Sequence, residues 1–125
     1  MDLRLGNYDE ARGLQLTSAM LERARQIPGV QSVALSAALP LDGGGLGLGG
    51  IDVAGRTPPD PRRGWNADWS VITPDYFDVM RIPLVAGRAF TDADRDGAAD
   101  VAIINETLAE LLWPGELAIG NTFRN

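Results

Sequence analysis

The chain has 125 residues, 45% of them apolar, and a formal net charge of −6, which suits one domain that buries about two thirds of its unfolded surface. It contains no cysteine and no histidine, so disulfides, thiolate metal sites, the Ser-His and Cys-His nucleophile systems and the usual zinc and iron ligands are excluded. All eleven basic residues are arginine, with no cluster beyond Arg62–Arg63, and this acidic balance argues against nucleic acid as a partner.

The first residues, "MDLRLGNYDE", are not a signal peptide, and no stretch approaches the ~20 apolar residues of a membrane span. From Tyr8 to Ile27 the pattern is helical: Leu14, Leu16, Met20, Leu21, Ala24 and Ile27 share one half of the wheel. Arg12, Gln15, Ser18, Glu22, Arg25 and Gln26 take the other half. Asn7 is the expected N-cap, with Asp9 and Glu10 in the first turn to suit the helix dipole. Pro28-Gly29 stops the helix, and "VQSVAL" reads as a strand.

"LDGGGLGLGG", residues 41–50, is expected to be a connection or hairpin loop. Gly45, Gly47 and Gly50 have dinucleotide-binding spacing, but that chemistry needs a helix N-terminus after the glycines to face the pyrophosphate. Instead the chain continues as "GIDVAG", short and strand-like, and it has no lysine to end a phosphate loop. "RTPPDPRRGWN", residues 56–66, reads as an exposed loop. Trp65 and Trp69 at its exit cover the edge of a core, or else offer a stacking platform for a sugar.

The second half contains a loose echo. "DWSVITPDYFDVM" and "DVAIINETLAELLW" each run aspartate, apolar stretch, cap and helix. Thr73 before Pro74, and Asn105 before Glu106, are the expected helix starts. Tyr76 or Phe77 with Met80, and Leu108 with Leu111 and Leu112, put apolar groups on one helical face. These strand–helix units predict an α+β fold, a mixed or antiparallel sheet with helices packed on one face. "WPG" ends the last helix, and "IGNTFRN" opens through a turn into a strand.

Between the two units, "TDADRDGAAD" spaces Asp92, Asp94, Asp96 and Gly97 like the first half of a calcium loop. The closing position, which needs a bidentate glutamate, is Ile103. A solvated turn is therefore expected. Carboxylates are the remaining catalytic acids, yet a hydrolytic pair must face across about 5–10 Å of cleft. Asp68, Asp75, Asp78 and the Asp92–Asp100 group fall mostly in turns or first helical turns. Ser36, Ser70 and Thr73 have no histidine or lysine to activate them. No catalytic, cofactor or metal residue is assigned, and no cofactor is expected.

Ordered short motifs run along the chain: Tyr76–Phe77, Gly87–Arg88, the acidic Asp92–Asp96, Val101 to Glu106, Trp113–Gly115 and Ile119–Gly120, preceded by "YDEARG" and "IPGVQSVALSAALPL". On these motifs nearly the whole chain resembles the MacB-like periplasmic core domain of bacterial ABC transporter permeases, notably the acidobacterial-type group. The resemblance implies a non-catalytic extracytoplasmic domain on the periplasmic side of the inner membrane. It also implies coupling of ATP-driven movements to an extracytoplasmic substrate or protein partner, with efflux or lipoprotein-related work as the setting. The partners it implies are the transmembrane helices of the permease and an ATP-binding subunit.

Residues 1–125 are expected to be a fragment of that domain, with an artificial start at Met1. Missing strands are expected to leave a sheet edge uncovered, and such an edge favours a homodimer of the fragment. The alternative reading is a small ligand-binding module, for calcium through Asp92–Asp96 or for carbohydrate through Trp65 and Trp69.

Overall fold

The computed structural model describes residues 10–38, 46–95 and 97–125. In chain order the elements are α1 (Glu10–Arg25), β1 (Leu46–Ile51), β2 (Trp65–Trp69), α2 (Tyr76–Met80) and α3 (Glu106–Leu112). β1 and β2 form a two-stranded antiparallel sheet, so the fold is α+β.

α1 matches the expected helix, and its Asn7 cap and Tyr8 lie outside the described residues. Its end is tightened by 3₁₀-type bonds from Gln26 N–H to Arg23 O and from Ile27 N–H to Ala24 O. Arg23 and Arg25 in the last turn complement the helix dipole, and Gly29, at φ 89°, turns the chain away. Only part of the apolar stripe is covered: Leu16, Leu21 and Ala24 are half-buried, whereas Leu14, Met20 and Ile27 are exposed.

"VQSVAL" forms no strand. The residue after it, Ser36, makes one antiparallel bridge with Ile72, flanked by bonds from Ala37 N–H to Val71 O and from Thr73 N–H to Leu35 O. Side-chain hydroxyls stand in for the rest of the ladder, since Thr73 Oγ1 accepts from Leu35 N–H at 2.9 Å.

A second correction concerns the glycine-rich stretch, whose residues 46–50 are strand and not loop. β2 imposes this by pairing Leu46 with Trp69, Gly47 with Asp68, Gly50 with Asn66 and Ile51 with Trp65. The register shifts between Gly47 and Gly50, setting Leu48 and Gly49 opposite Ala67 alone. Gly49 accommodates this bulge at φ 77°. Trp65 and Asn66, expected in the loop, open β2.

The core lies on one face of this hairpin. Side chains two apart in a strand share a face, and paired residues lie opposite each other. Ile51 and Val53 therefore join Trp65 and Ala67. Onto them pack Leu112 and Trp113 from the end of α3, with Ile104, Leu108, Ala118 and Phe123 around them. Asp52 exchanges two 2.8 Å backbone bonds with Arg124 as an isolated antiparallel bridge, so of the strand expected from "IGNTFRN" only this one bridge forms.

The two strand–helix units differ from their expected form. α2 starts after Asp75, because the Thr73 hydroxyl serves Leu35 instead of capping the helix. It ends in a Schellman arrangement: Ile82 N–H bonds Phe77 O, Arg81 N–H bonds Asp78 O, and Arg81 takes φ 55°. In the second unit, residues 100–104 form no strand and lead directly into α3. Asn105 caps α3 as expected, its Oδ1 accepting from Leu108 N–H at 2.8 Å, a bond worth about 1 kcal/mol.

Candidate functional site

The acidic stretch is organised around arginine. Arg88 grips Asp94 with both terminal nitrogens, each 2.6 Å from a carboxylate oxygen. Asp94 also accepts from Thr91 N–H at 2.8 Å and from Thr91 Oγ1 at 3.1 Å. A calcium ion there would have to displace the guanidinium, and Asp96 lies outside the described residues. The pattern of the sequence does not reveal this clamp, because residues six apart are not neighbours on a helix and lie about 20 Å apart along a strand. Its one signal is an arginine, after a turn glycine, facing an acidic run.

Arg88, then the Thr91 N–H, hold the Asp94 carboxyl well below the usual carboxylate range, and Asp94 in turn raises Arg88. With the folded pKa below the unfolded value of about 3.9, this stabilisation is fully present above that value. It is lost as pH falls through the folded value. Urea unfolding between pH 7 and pH 2 should therefore show a steeper acid loss of stability in the native chain than in Asp94→Asn. Equal acid losses in the two chains would contradict the clamp.

Other polar groups are spent in the same internal way. Arg25 Nη2 donates to Asp75 at 2.7 Å, and Arg25 Nη1 donates to Glu22. Arg56 pairs with Glu116. Ser36 and Ser70, the candidate nucleophiles, are hydrogen-bonded to each other at 2.9 Å, while Ser36 donates to Ala38 O and Ser70 accepts from Ala38 N–H. Asp68 and Asp78 are exposed on β2 and α2. Among the described residues no group of three or more acidic residues forms a metal-binding set.

The carbohydrate platform does not assemble. Trp65 is buried in the core, and Trp69, four residues along the same strand, is exposed. The glycine spacing cannot cradle a pyrophosphate either: Gly47 and Gly50 belong to β1, no helix comes directly after them, and Gly45 lies outside the described residues. An open depression of about 570 Å³ lies beside the hairpin, lined by Asp60, Arg63, Trp65, Asn66 and Leu111. Its Arg63 side chain extends into solvent, 3.8 Å from Asp60. No set of polar groups converges on it.

The surface itself is notably apolar. Val85 is 74% exposed and Leu117 72%, and Ile119 is exposed where its Cδ1 lies 3.7 Å from the Cβ position of Gly87.

The recurring sequence motifs occupy structural positions in this arrangement. Tyr76 and Phe77 stack edge to face at 5.7 Å, Arg88 forms the clamp, and Trp113 belongs to the core. Among the described residues no helix is long and apolar enough to cross a membrane. A family model described as the MacB-like periplasmic core domain matches residues 4–125. No curated protein and no solved structure matches the chain. The match spans nearly the full sequence, and the chain belongs to the MacB-like periplasmic core domain family, the extracytoplasmic domain of ABC transporter permeases.

Proposed function

We propose that the domain is a non-catalytic coupling element, linking movements of the membrane part of the permease, driven by an ATP-binding subunit, to an extracytoplasmic substrate or protein partner. One observation carries this reading. Asp75 and Asp94 are bonded to the protein's own arginines, and Ser36 and Ser70 to each other and to backbone, while large apolar side chains such as Val85 and Leu117 face outward. Outward apolar groups serve contact, and internally paired polar groups serve rigidity.

The test uses the permease assembled with its ATP-binding subunit in vesicles. A coupling element affects a remote reaction, so Val85→Glu combined with Leu117→Glu should change the rate of ATP hydrolysis. Both positions are solvent-exposed, so the melting temperature of the chain should stay nearly constant. An unchanged hydrolysis rate would reject coupling. Saturable binding of ATP to the chain alone would reject the non-catalytic reading.

A further inference from the structure

Among the described residues, Arg81 is the one non-glycine residue with a positive φ. It stands at φ 55°, ψ 39° just after α2, in the left-handed region where a Cβ crowds the backbone and glycine or asparagine is the usual occupant. The turn explains the shape of the backbone. Arg81 N–H bonds Asp78 O at 3.2 Å and Ile82 N–H bonds Phe77 O at 2.9 Å, which closes the helix end. Neither bond requires an arginine, and glycine makes both without strain.

The side chain does not offset the strain inside the molecule. Arg25, Arg56 and Arg88 are each paired with a carboxylate, whereas the exposed Arg81 side chain has no hydrogen bond or ion pair, not even with Asp78 three residues earlier. Its neighbours in the chain are apolar and outward: Met80 is 44% exposed, Ile82 41% and Val85 74%. From Val79 to Thr91 the only charges are Arg81 and Arg88, and Asp94 neutralises Arg88. One uncompensated cation is thus left in an exposed apolar stretch.

Strain held at a residue that does nothing for the fold points to use by another molecule. We propose that Arg81 anchors a docking surface formed with Met80, Ile82 and Val85, and that it takes a carboxylate of a protein partner whose own contact surface is apolar. A guanidinium and a carboxylate meet as a planar two-pronged pair. Apolar side chains around such a pair exclude water from it, the setting in which arginine contributes most to protein contacts. The closed turn fixes the backbone of Arg81, so less freedom is lost on binding. Charge selects a protein over a lipid surface. A sheet of anionic headgroups meets the net charge of −6, whereas a single carboxylate meets Arg81. That the contact passes on movement rests on the coupling reading, but the contact itself is tested without it.

The test is a titration of the isotope-labelled chain, followed by nuclear magnetic resonance. The probes are a capped peptide with leucines on both sides of one glutamate, its glutamine counterpart, and phosphatidylglycerol vesicles. The glutamate peptide should shift the amides of Arg81, Ile82 and Val85 and bind roughly threefold or more tightly than the glutamine peptide. Arg81→Gln should erase that preference, and Arg62→Gln, at an exposed arginine elsewhere, should keep it. No shift at Arg81, equal affinity for the two peptides, a preference that survives Arg81→Gln, or Arg81-dependent binding to the vesicles instead overturns the proposal.

Thermal unfolding separates the contact from a structural role, since a cation after the last turn also complements a helix dipole. Arg81→Gly removes the left-handed strain and should hold or raise the melting temperature. A lower melting temperature would make Arg81 a stabiliser of the helix end and overturn the proposal. Both measurements use the chain alone, so their failure leaves the ATP-hydrolysis test of coupling untouched. An unchanged hydrolysis rate, in turn, leaves the carboxylate contact standing.

Discussion

Leu112→Ala should destabilise the chain by about 2–5 kcal/mol, a large share of the 5–15 kcal/mol by which a domain typically holds its fold. Leu112 is 0% exposed and sits in a cluster with Ile51, Val53, Trp65 and Trp113. With so few buried side chains, the neighbours cannot close over the lost isopropyl group without leaving the hairpin face. Leu111, one residue earlier, is 48% exposed, and Leu111→Ala should cost well under half as much. Urea unfolding followed by tryptophan fluorescence reads both, since Trp65 and Trp113 report on the core itself. Equal losses at the two positions would mean that α3 does not dock through Leu112.

Gly64→Val should be comparably damaging, for a backbone reason. Gly64 closes the β1–β2 connection at φ 68°, in the left-handed region that costs an ordinary residue about 1–2 kcal/mol. A Cβ there would also stand 2.8 Å from Ile51 O and 3.1 Å from Gly50 Cα. Both are backbone atoms that cannot rotate aside, so overpacking adds about 1–3 kcal/mol. Gly55, at φ 76° with nothing within 4 Å of its Cβ position, isolates the conformational part. Gly55→Ala should therefore lose only about 1 kcal/mol. If thermal unfolding showed the two variants to be alike, the close approach of Gly64 to β1 would be refuted.

The glycine-rich hairpin shows why some of the fold was hidden. Residues 46–50 hold three glycines in five positions, a composition that reads as loop because glycine gains nothing from being a strand. They are a strand because Trp65–Trp69 pairs with them. Gly50 permits the approach, its Cβ position lying 2.7 Å from Arg63 O. The opposite error occurs at residues 100–104, where β-branched residues suggest a strand and the described structure supplies no partner for one. Strand propensity is a readiness to pair, and pairing is decided by residues far away in sequence.

The candidate site obeys the same rule. The aspartates at positions 92, 94 and 96 have a ligand-like spacing, but the group that decides their role is Arg88, and only the folded turn brings its guanidinium to Asp94. Thr73 has two possible uses as a hydroxyl, and Leu35, 38 residues earlier, claims it.

By itself the sequence determined the features whose causes lie within one or two turns of chain. These are the helix of Glu10–Arg25, the Asn105 cap, the stops at Pro28-Gly29 and Trp113–Gly115, and the family motifs from Tyr76 to Gly120. Tertiary structure alone decided the β1–β2 register with its bulge, the burial of Trp65 but not Trp69, and the Arg88–Asp94 clamp. The physical reason is range. Caps and turns are settled by the backbone's own sterics and nearest hydrogen bonds, whereas ladders, cores and ion pairs depend on which distant groups the folded chain brings into contact.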